Sequence, residues 1–338
     1  TPGLQGGFIW EWKDHGLRQL LPNGKERFAY GGQFGDSPHD GNFVADGLMH
    51  ADLTPHPAMR EVAWVHRPVA AQLVGPKTAP SIELKNRQSF RDVSWLSATY
   101  EIVIDGVVKR KGKLTLSGLG AGKTKRIKAP SIRGLSGDIR LNIMWKTKRA
   151  ELWCDRGHVV AWDQLVMKSA RLKKNQVSHK KSATLNVEPQ LSLFRASIDN
   201  DGFKLLPNLA WVETTTLKRW QQQGIDEAIP QLVKHETKTQ VRTDGSVRFE
   251  HTILIPKTLD DLPRIGVNFP LPEGFVEISW WGNGPHECYP DRQSSATLGI
   301  FSGQADELPY LVPQEYGLRT SCRWFEVSNP KTKEVNRI

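Results

Sequence analysis

The chain has 338 residues, more than one hydrophobic core usually serves, so two or three domains are expected. Hydrophobic residues make up 38% and charged residues 24%, a globular balance, and no apolar run reaches the length of a membrane span. Three scattered cysteines, Cys154, Cys288 and Cys322, argue against a disulfide framework or a C-x-x-C metal site and point to a reducing, cytoplasmic setting.

Residues 1–68 read as strand, long loop and helix. Phe8–Trp12 is a short β-prone run. From Gly16 to Thr54 the chain is rich in Gly, Asp, Asn and Pro and reads as a loop of about forty residues, a length that is often functional. "TPHPAMREVAWVHRP" then reads as a helix, with Thr54 as cap, Pro57 in the first turn and Pro68 at the end. Met59, Val62, Ala63 and His66 would share one face.

Residues 69–186 read as an all-β unit, a small sandwich. "ATYEIVIDGVVKRKGKLTL" holds two strands joined at Asp105-Gly106, and "DIRLNIMW" and "HVVAWDQLVM" are further strands. The net charge of +10 is concentrated here: residues 101–190 hold 20 Lys/Arg against 7 Asp/Glu. These basic residues fall in strands and turns, without interleaved aromatics or a nucleic-acid motif. A solvated basic sheet face is favoured over nucleic-acid binding. Residues 187–338 are again mostly β, with a second hairpin at Asp244-Gly245 and one helical stretch, "LAWVETTTLKRWQQQGI".

The first loop carries the chemistry. "YGGQFGDSPHDGNFVADGLMHADLTPHP" offers Asp36, Asp40, Asn42 and Asp46 as oxygen donors to a hard cation. Their spacing is not that of an EF-hand, and taken alone these residues are better read as turn formers. A strand followed by such a loop and a helix also suits a (β/α)₈ barrel, whose sites lie at the C-terminal ends of the strands.

Several motifs make this specific. "LQGGFIWEW", "YGGQFGDSPHDGNFVADGL" and "ADLTPHPAMREV" resemble the end of the catalytic barrel of LacZ-type β-galactosidases of glycoside hydrolase family 2. "GHVVAWDQ" resembles the end of that family's following β-sandwich, and "RASIDNDGFK", "WWGNGPHECYPDR" and "LVPQEYGLR" resemble its large C-terminal β-domain. The resemblance implies a mainly β, multidomain fold. Its parts would be the end of a TIM barrel at 1–68, an immunoglobulin-like sandwich at 69–186, and part of an antiparallel β-domain at 187–338.

It also implies roles. Trp10 matches a tryptophan that walls the galactose site and commonly precedes a non-proline cis peptide. An aromatic face suits the C–H face of a sugar. Phe43, through its main-chain carbonyl, and Asp46 match a sodium site that meets the galactose 6-hydroxyl, although the best-known members carry asparagine at the second position. His39 falls at a position associated with magnesium, for which imidazole is a poor partner. Trp12 reads as packing, as do His50, His56 and His66, and nothing in the sequence requires His15 at the site. Glu287, Asp291 and Arg292 in "PHECYPDR" read as buried Arg–carboxylate support.

Retention needs two carboxyl groups about 5–5.5 Å apart. In the family both are glutamates on earlier barrel strands, before Thr1, so these residues alone are expected to be inactive. Glu11 is set aside as a substitute because strand alternation turns it away from Trp10. "LNVEPQLSLFRASIDNDG" passes from the sandwich to "DNDG" with less sheet than the family has, which suggests a fragment. The parent would hydrolyse terminal β-D-galactosides such as lactose, joined by the rest of the barrel and assembled as a homo-oligomer, with sodium and magnesium as cofactors. The alternative is a non-catalytic carbohydrate-binding or assembly module.

Overall fold

The computed structural model describes residues 3–76, 78–115, 118–170, 188–202, 215–225, 233–243, 245–305, 310–312 and 314–337. Among them it is a set of antiparallel sheets with two α-helices. No helix among the described residues is long and apolar enough to cross a membrane.

The N-terminal part departs from expectation three times. Phe8–Trp12 forms no strand, and only the following Lys13 pairs, in an isolated bridge to Met49. The main-chain groups of this run bond to a loop instead. Glu11 N–H donates to Asp46 O, while Leu48 N–H and Met49 N–H donate to Glu11 O and Trp12 O. The supposed loop from Gly16 also contains a hairpin, β1 (Leu17–Leu20) against β2 (Glu26–Ala29). Its turn carries Asn23-Gly24, with Gly24 at φ 78, so a turn signal was present in the sequence. Helix α1 (Ala58–Val65) follows, with Pro57 at its N-cap and no side-chain cap. Thr54 does not cap it, because its hydroxyl and N–H both bond Asp52 Oδ1.

The sandwich packs two sheets. One orders β3 (Val69–Val74), β4 (Ser81–Asn86) and β7 (Thr124–Lys128). The other orders β6 (Val107–Leu114), β5 (Leu96–Ile104), β8 (Ile139–Thr147) and β9 (Val159–Lys168). Strict alternation along β8 sends Ile139, Leu141, Ile143 and Trp145 into one core with Ile82, Leu84, Leu96 and Ile102. Asp105 (φ 49) and Gly106 (φ 80) are both left-handed, as a two-residue hairpin of this kind requires. The basic run of β6 is exposed along Lys109–Lys111, with Lys111 paired to Glu101 at 2.8 Å.

In the C-terminal part β10 (Gln190–Ser192) pairs with β13 (Gly266–Asn268), and β11 (Lys234–Val241) with β12 (Val247–Leu254). Gly245 in the latter turn has φ 81, whereas Asp244 lies outside the described residues. A four-stranded sheet runs in the order β15 (Thr297–Gln304), β14 (Glu277–Gly284), β16 (Trp324–Ser328), β17 (Val335–Arg337). Helix α2 (Thr216–Gln222) is capped by Thr215 Oγ1, which accepts from Lys218 N–H at 3.2 Å. The earlier half of that expected helix, 209–214, lies outside the described residues. Trp220 joins Leu193, Ile225, Val233 and Leu259 in a second core.

The three parts meet around α1 and β9. Glu61 accepts from Ser294 N–H at 3.0 Å and Ser295 N–H at 2.8 Å. Trp162 Nε1–H donates to Ser295 O, and Gln164 exchanges two bonds with the main chain of Leu298. Arg60 lies over the Trp162 ring at 4.2 Å. Arg67 pairs with Asp163 at 3.0 Å, and Asp163 also accepts from Ala71 N–H at 2.9 Å.

Candidate functional site

The loop after β2 folds back on residues 10–15. Besides the bonds above, Asp14 N–H donates to Met49 O and His15 N–H to Val44 O. Gly47 makes this approach possible: a Cβ there would stand 2.3 Å from Asp14 N. The result brings Asp46 against the Trp10–Glu11 peptide, which is cis.

Asp46 and Glu11 are neighbouring carboxyl groups. Burial raises the Asp46 pKa, Glu11 raises it further, and a main-chain hydrogen bond and His15 pull it down. Asp46 Oδ1 is buried and has no hydrogen-bond partner among the described residues. Glu11 Oε2 meets His15 Nε2 at 2.9 Å. The alternation that set Glu11 aside therefore fails: without an extended strand at 8–12, the Glu11 side chain turns to the same loop as Asp46. His15, which the sequence left unassigned, joins them.

Trp10 is 74% exposed and Phe43 62% exposed. Phe43 N–H donates to Asp40 O at 3.0 Å, and Asn42 is buried with its carbonyl accepting from Ala45 N–H. Asp36 and Asp40 are exposed. His39 is directed elsewhere. Its Nδ1 accepts from Gly41 N–H at 3.1 Å and its ring packs so tightly on Gly32 that a Cβ there would come within 2.6 Å.

A second constellation joins Asp14, which the sequence left unassigned, to His50 and His56, which read as packing. Its ligand-type atoms lie within 4.8 Å of one another, so it is a possible metal site. The signal was present as an Asp two residues after Trp12 and an H-x₅-H pair, but only the stitched loop brings them together. Beyond His56 stands Tyr310, stacked at 5.6 Å. Tyr310 Oη–H donates to buried Glu287, which also takes Arg292 and Gly317 N–H, at 2.8 Å for the latter. Glu287 and Arg292 form the expected buried support, whereas Asp291 is exposed. The cysteines are free.

Residues 164–336, over half of the chain, match the family described as beta galactosidase small chain. The chain belongs to this family. Residues 82–168 match domain 4 of β-galactosidase, and residues 1–71 match the TIM barrel domain of glycosyl hydrolases family 2. The β-galactosidase of Arthrobacter sp. (strain B7) is 30% identical across 97% of this chain and 39% of its own length. That of Photobacterium profundum is 29% identical across 97% and 39%, and that of Vibrio cholerae 28% across 96% and 38%. The chain thus spans less than two-fifths of the length of these relatives. Among solved structures, an exo-chitosanase of Amycolatopsis orientalis aligns at 14% identity over 87% of this chain and 29% of its own, with a TM-score of 0.24, too low to speak for the fold.

Proposed function

We propose that this chain is part of a retaining β-galactosidase acting on terminal β-D-galactosides such as lactose. The observation that carries it is the loop of Phe43 and Asp46 bonded to the Trp10–Glu11 peptide, in a chain that matches three consecutive segments of such enzymes. In this reading residues 1–68 close a catalytic barrel, 69–186 form the sandwich and 187–338 belong to the C-terminal β-domain.

Trp10 offers an aromatic face to the sugar's C–H face. Phe43 O and Asp46 would hold a sodium ion, whose charge would polarise and orient the galactose 6-hydroxyl. The fit rests on Asp46 Oδ1, a buried oxygen without a hydrogen-bond partner among the described residues, and on the preference of hard cations for oxygen. Magnesium, the second ion of the resemblance, finds no fitting donor at His39, whose Nδ1 already accepts a main-chain N–H. No step is assigned to it.

In the resemblance neither Glu11 nor Asp46 is one of the two carboxyl groups that retention needs. The acid/base and nucleophile are therefore assigned to glutamates on other barrel strands of the parent polypeptide, as the resemblance implies. Free thiols support a cytoplasmic setting, and the relatives' names support a galactoside as substrate. A homo-oligomer is the expected assembly.

The test is hydrolysis of an aryl β-galactoside, with product stereochemistry followed by proton NMR. The parent polypeptide should release β-galactose first, and residues 1–338 alone should release none. Sugar binding by the parent without turnover would favour a carbohydrate-binding module instead.

A further inference from the structure

We propose that Asp14, His50 and His56 form a binding site for a zinc-class divalent cation. The proposal stands on their convergence alone and is independent of the galactosidase reading.

Asp14 is fully buried and His56 is 6% exposed. Asp14 Oδ2 lies 2.8 Å from His56 Nε2 and 3.9 Å from His50 Nδ1. Ligands around a tetrahedral zinc at about 2.0–2.2 Å stand roughly 3.3 Å apart. The two spacings to Asp14 bracket that value, and rotation of the His50 ring away from the His56 ring, with centroids now 3.7 Å apart, brings all three atoms onto one ion.

The support around the three is already built. Asp14 Oδ1 accepts from Gly47 N–H at 2.8 Å, which orients the carboxylate and leaves Oδ2 toward the two imidazoles. His56 is held between the His50 ring, with centroids 3.7 Å apart, and Tyr310 at 5.6 Å. The backbone fixes all three: Asp14 N–H bonds Met49 O, His50 N–H bonds Thr54 O, and His56 N–H bonds Leu48 O. His50 keeps 23% of its side chain exposed and gives the ion a way in.

Two nitrogen donors and one carboxylate suit zinc, cobalt or nickel and not sodium or magnesium. Binding balances as an exchange. The ion takes the Nε2 lone pair of neutral His56, and the ring proton moves from Nε2 to Nδ1 by way of solvent, so the imidazole stays neutral.

The test is titration of the purified, metal-free parent protein with zinc by calorimetry and with cobalt by visible absorption. Cobalt held by nitrogen and oxygen should give tetrahedral d–d bands without a near-ultraviolet thiolate band, which separates this site from the three cysteines. His50→Ala should weaken zinc by about a hundredfold and remove the bands. His50→Cys should retain binding and add the thiolate band, which places residue 50 on the metal. The double variant His235→Ala/His251→Ala controls for the imidazole pair on β11 and β12, 2.9 Å apart, and should leave the bands intact. The proposal is overturned if the unaltered protein shows no saturable bands, if His50→Ala leaves them unchanged, or if the double variant removes them.

Discussion

Arg67→Met should destabilise the sandwich strongly at neutral pH and only weakly in mild acid. The Arg67–Asp163 pair is buried on both sides, 8% and 5% exposed. Burial raises the Asp163 pKa from 3.8 to about 6, although Arg67 and Ala71 N–H oppose the shift. Arg67 is itself lowered, first by burial. Desolvation thus exceeds attraction for both partners, a known outcome for buried ion pairs. The sign follows for an acid whose folded pKa lies above its unfolded one. The folded state binds the extra proton between 3.8 and about 6, so the carboxylate's cost is absent below that range and full above it. That interval corresponds to ~3 kcal/mol.

Removing Arg67 strands the carboxylate with Ala71 N–H, at a cost of about 3–5 kcal/mol when it is charged. Near pH 5 the acid is mostly neutral, and the loss should fall to ~1–2 kcal/mol, the scale of a hydrogen bond and its packing. Urea unfolding of the variant and the unaltered protein at the two pH values, followed by hydrogen exchange in β3 and β9, measures both numbers. Equal losses at both pH values would refute the assignment of the penalty to the Asp163 charge.

In the parent enzyme, Trp10→Ala should weaken galactosides by on the order of 1–3 kcal/mol, or roughly tenfold or more in affinity. Unchanged kinetics in a folded variant would reduce Trp10 to packing. Activity at constant ionic strength should depend on sodium against potassium, and Asp46→Ala should abolish that response. Asp46→Asn should keep the response at a shifted cation concentration, and flat activity across sodium, potassium and a bulky organic cation would remove the ion from the loop. Glu61→Ala should cost ~1–3 kcal/mol by leaving Ser294 and Ser295 N–H without their acceptor, seen as faster exchange at 294–298. Burial raises the Glu61 pKa, but those bonds outweigh it and lower it overall from 4.5. Its contribution is present above that value and disappears as pH falls through the folded one.

The sandwich was legible because its signals are local. Alternation in Ile139–Thr147 and the Asp105-Gly106 turn determine strand, face and register together. The N-terminal part was less legible because an apolar, β-prone run becomes a strand only beside another strand. Phe8–Trp12 bonds to the loop at 46–49 instead, and the side-chain directions inferred from alternation go with it. Trp10, Phe43 and Asp46 could be named from motifs, but the influence of Glu11 on Asp46 could not. Nor could Asp14 be joined to His50 and His56, since that depends on Gly47 letting two backbones touch.

The junction of α1, β9 and 294–298 has a consequence for inheritance. On one side stand three side chains, Glu61, Trp162 and Gln164. On the other, five main-chain groups receive them, the N–H of Ser294, Ser295 and Leu298 and the carbonyls of Ser295 and Leu298, and the Ser294 and Ser295 side chains also act on Glu61. A peptide unit is the same whatever residue bears it. Chimeras that graft the C-terminal segment of a distant relative onto this sandwich should therefore dock with few matched substitutions, provided the turn at 294–298 keeps its path and its two serines. Drift in that segment can leave the joint intact, while loss of any one of the three side chains cannot be repaired from across it.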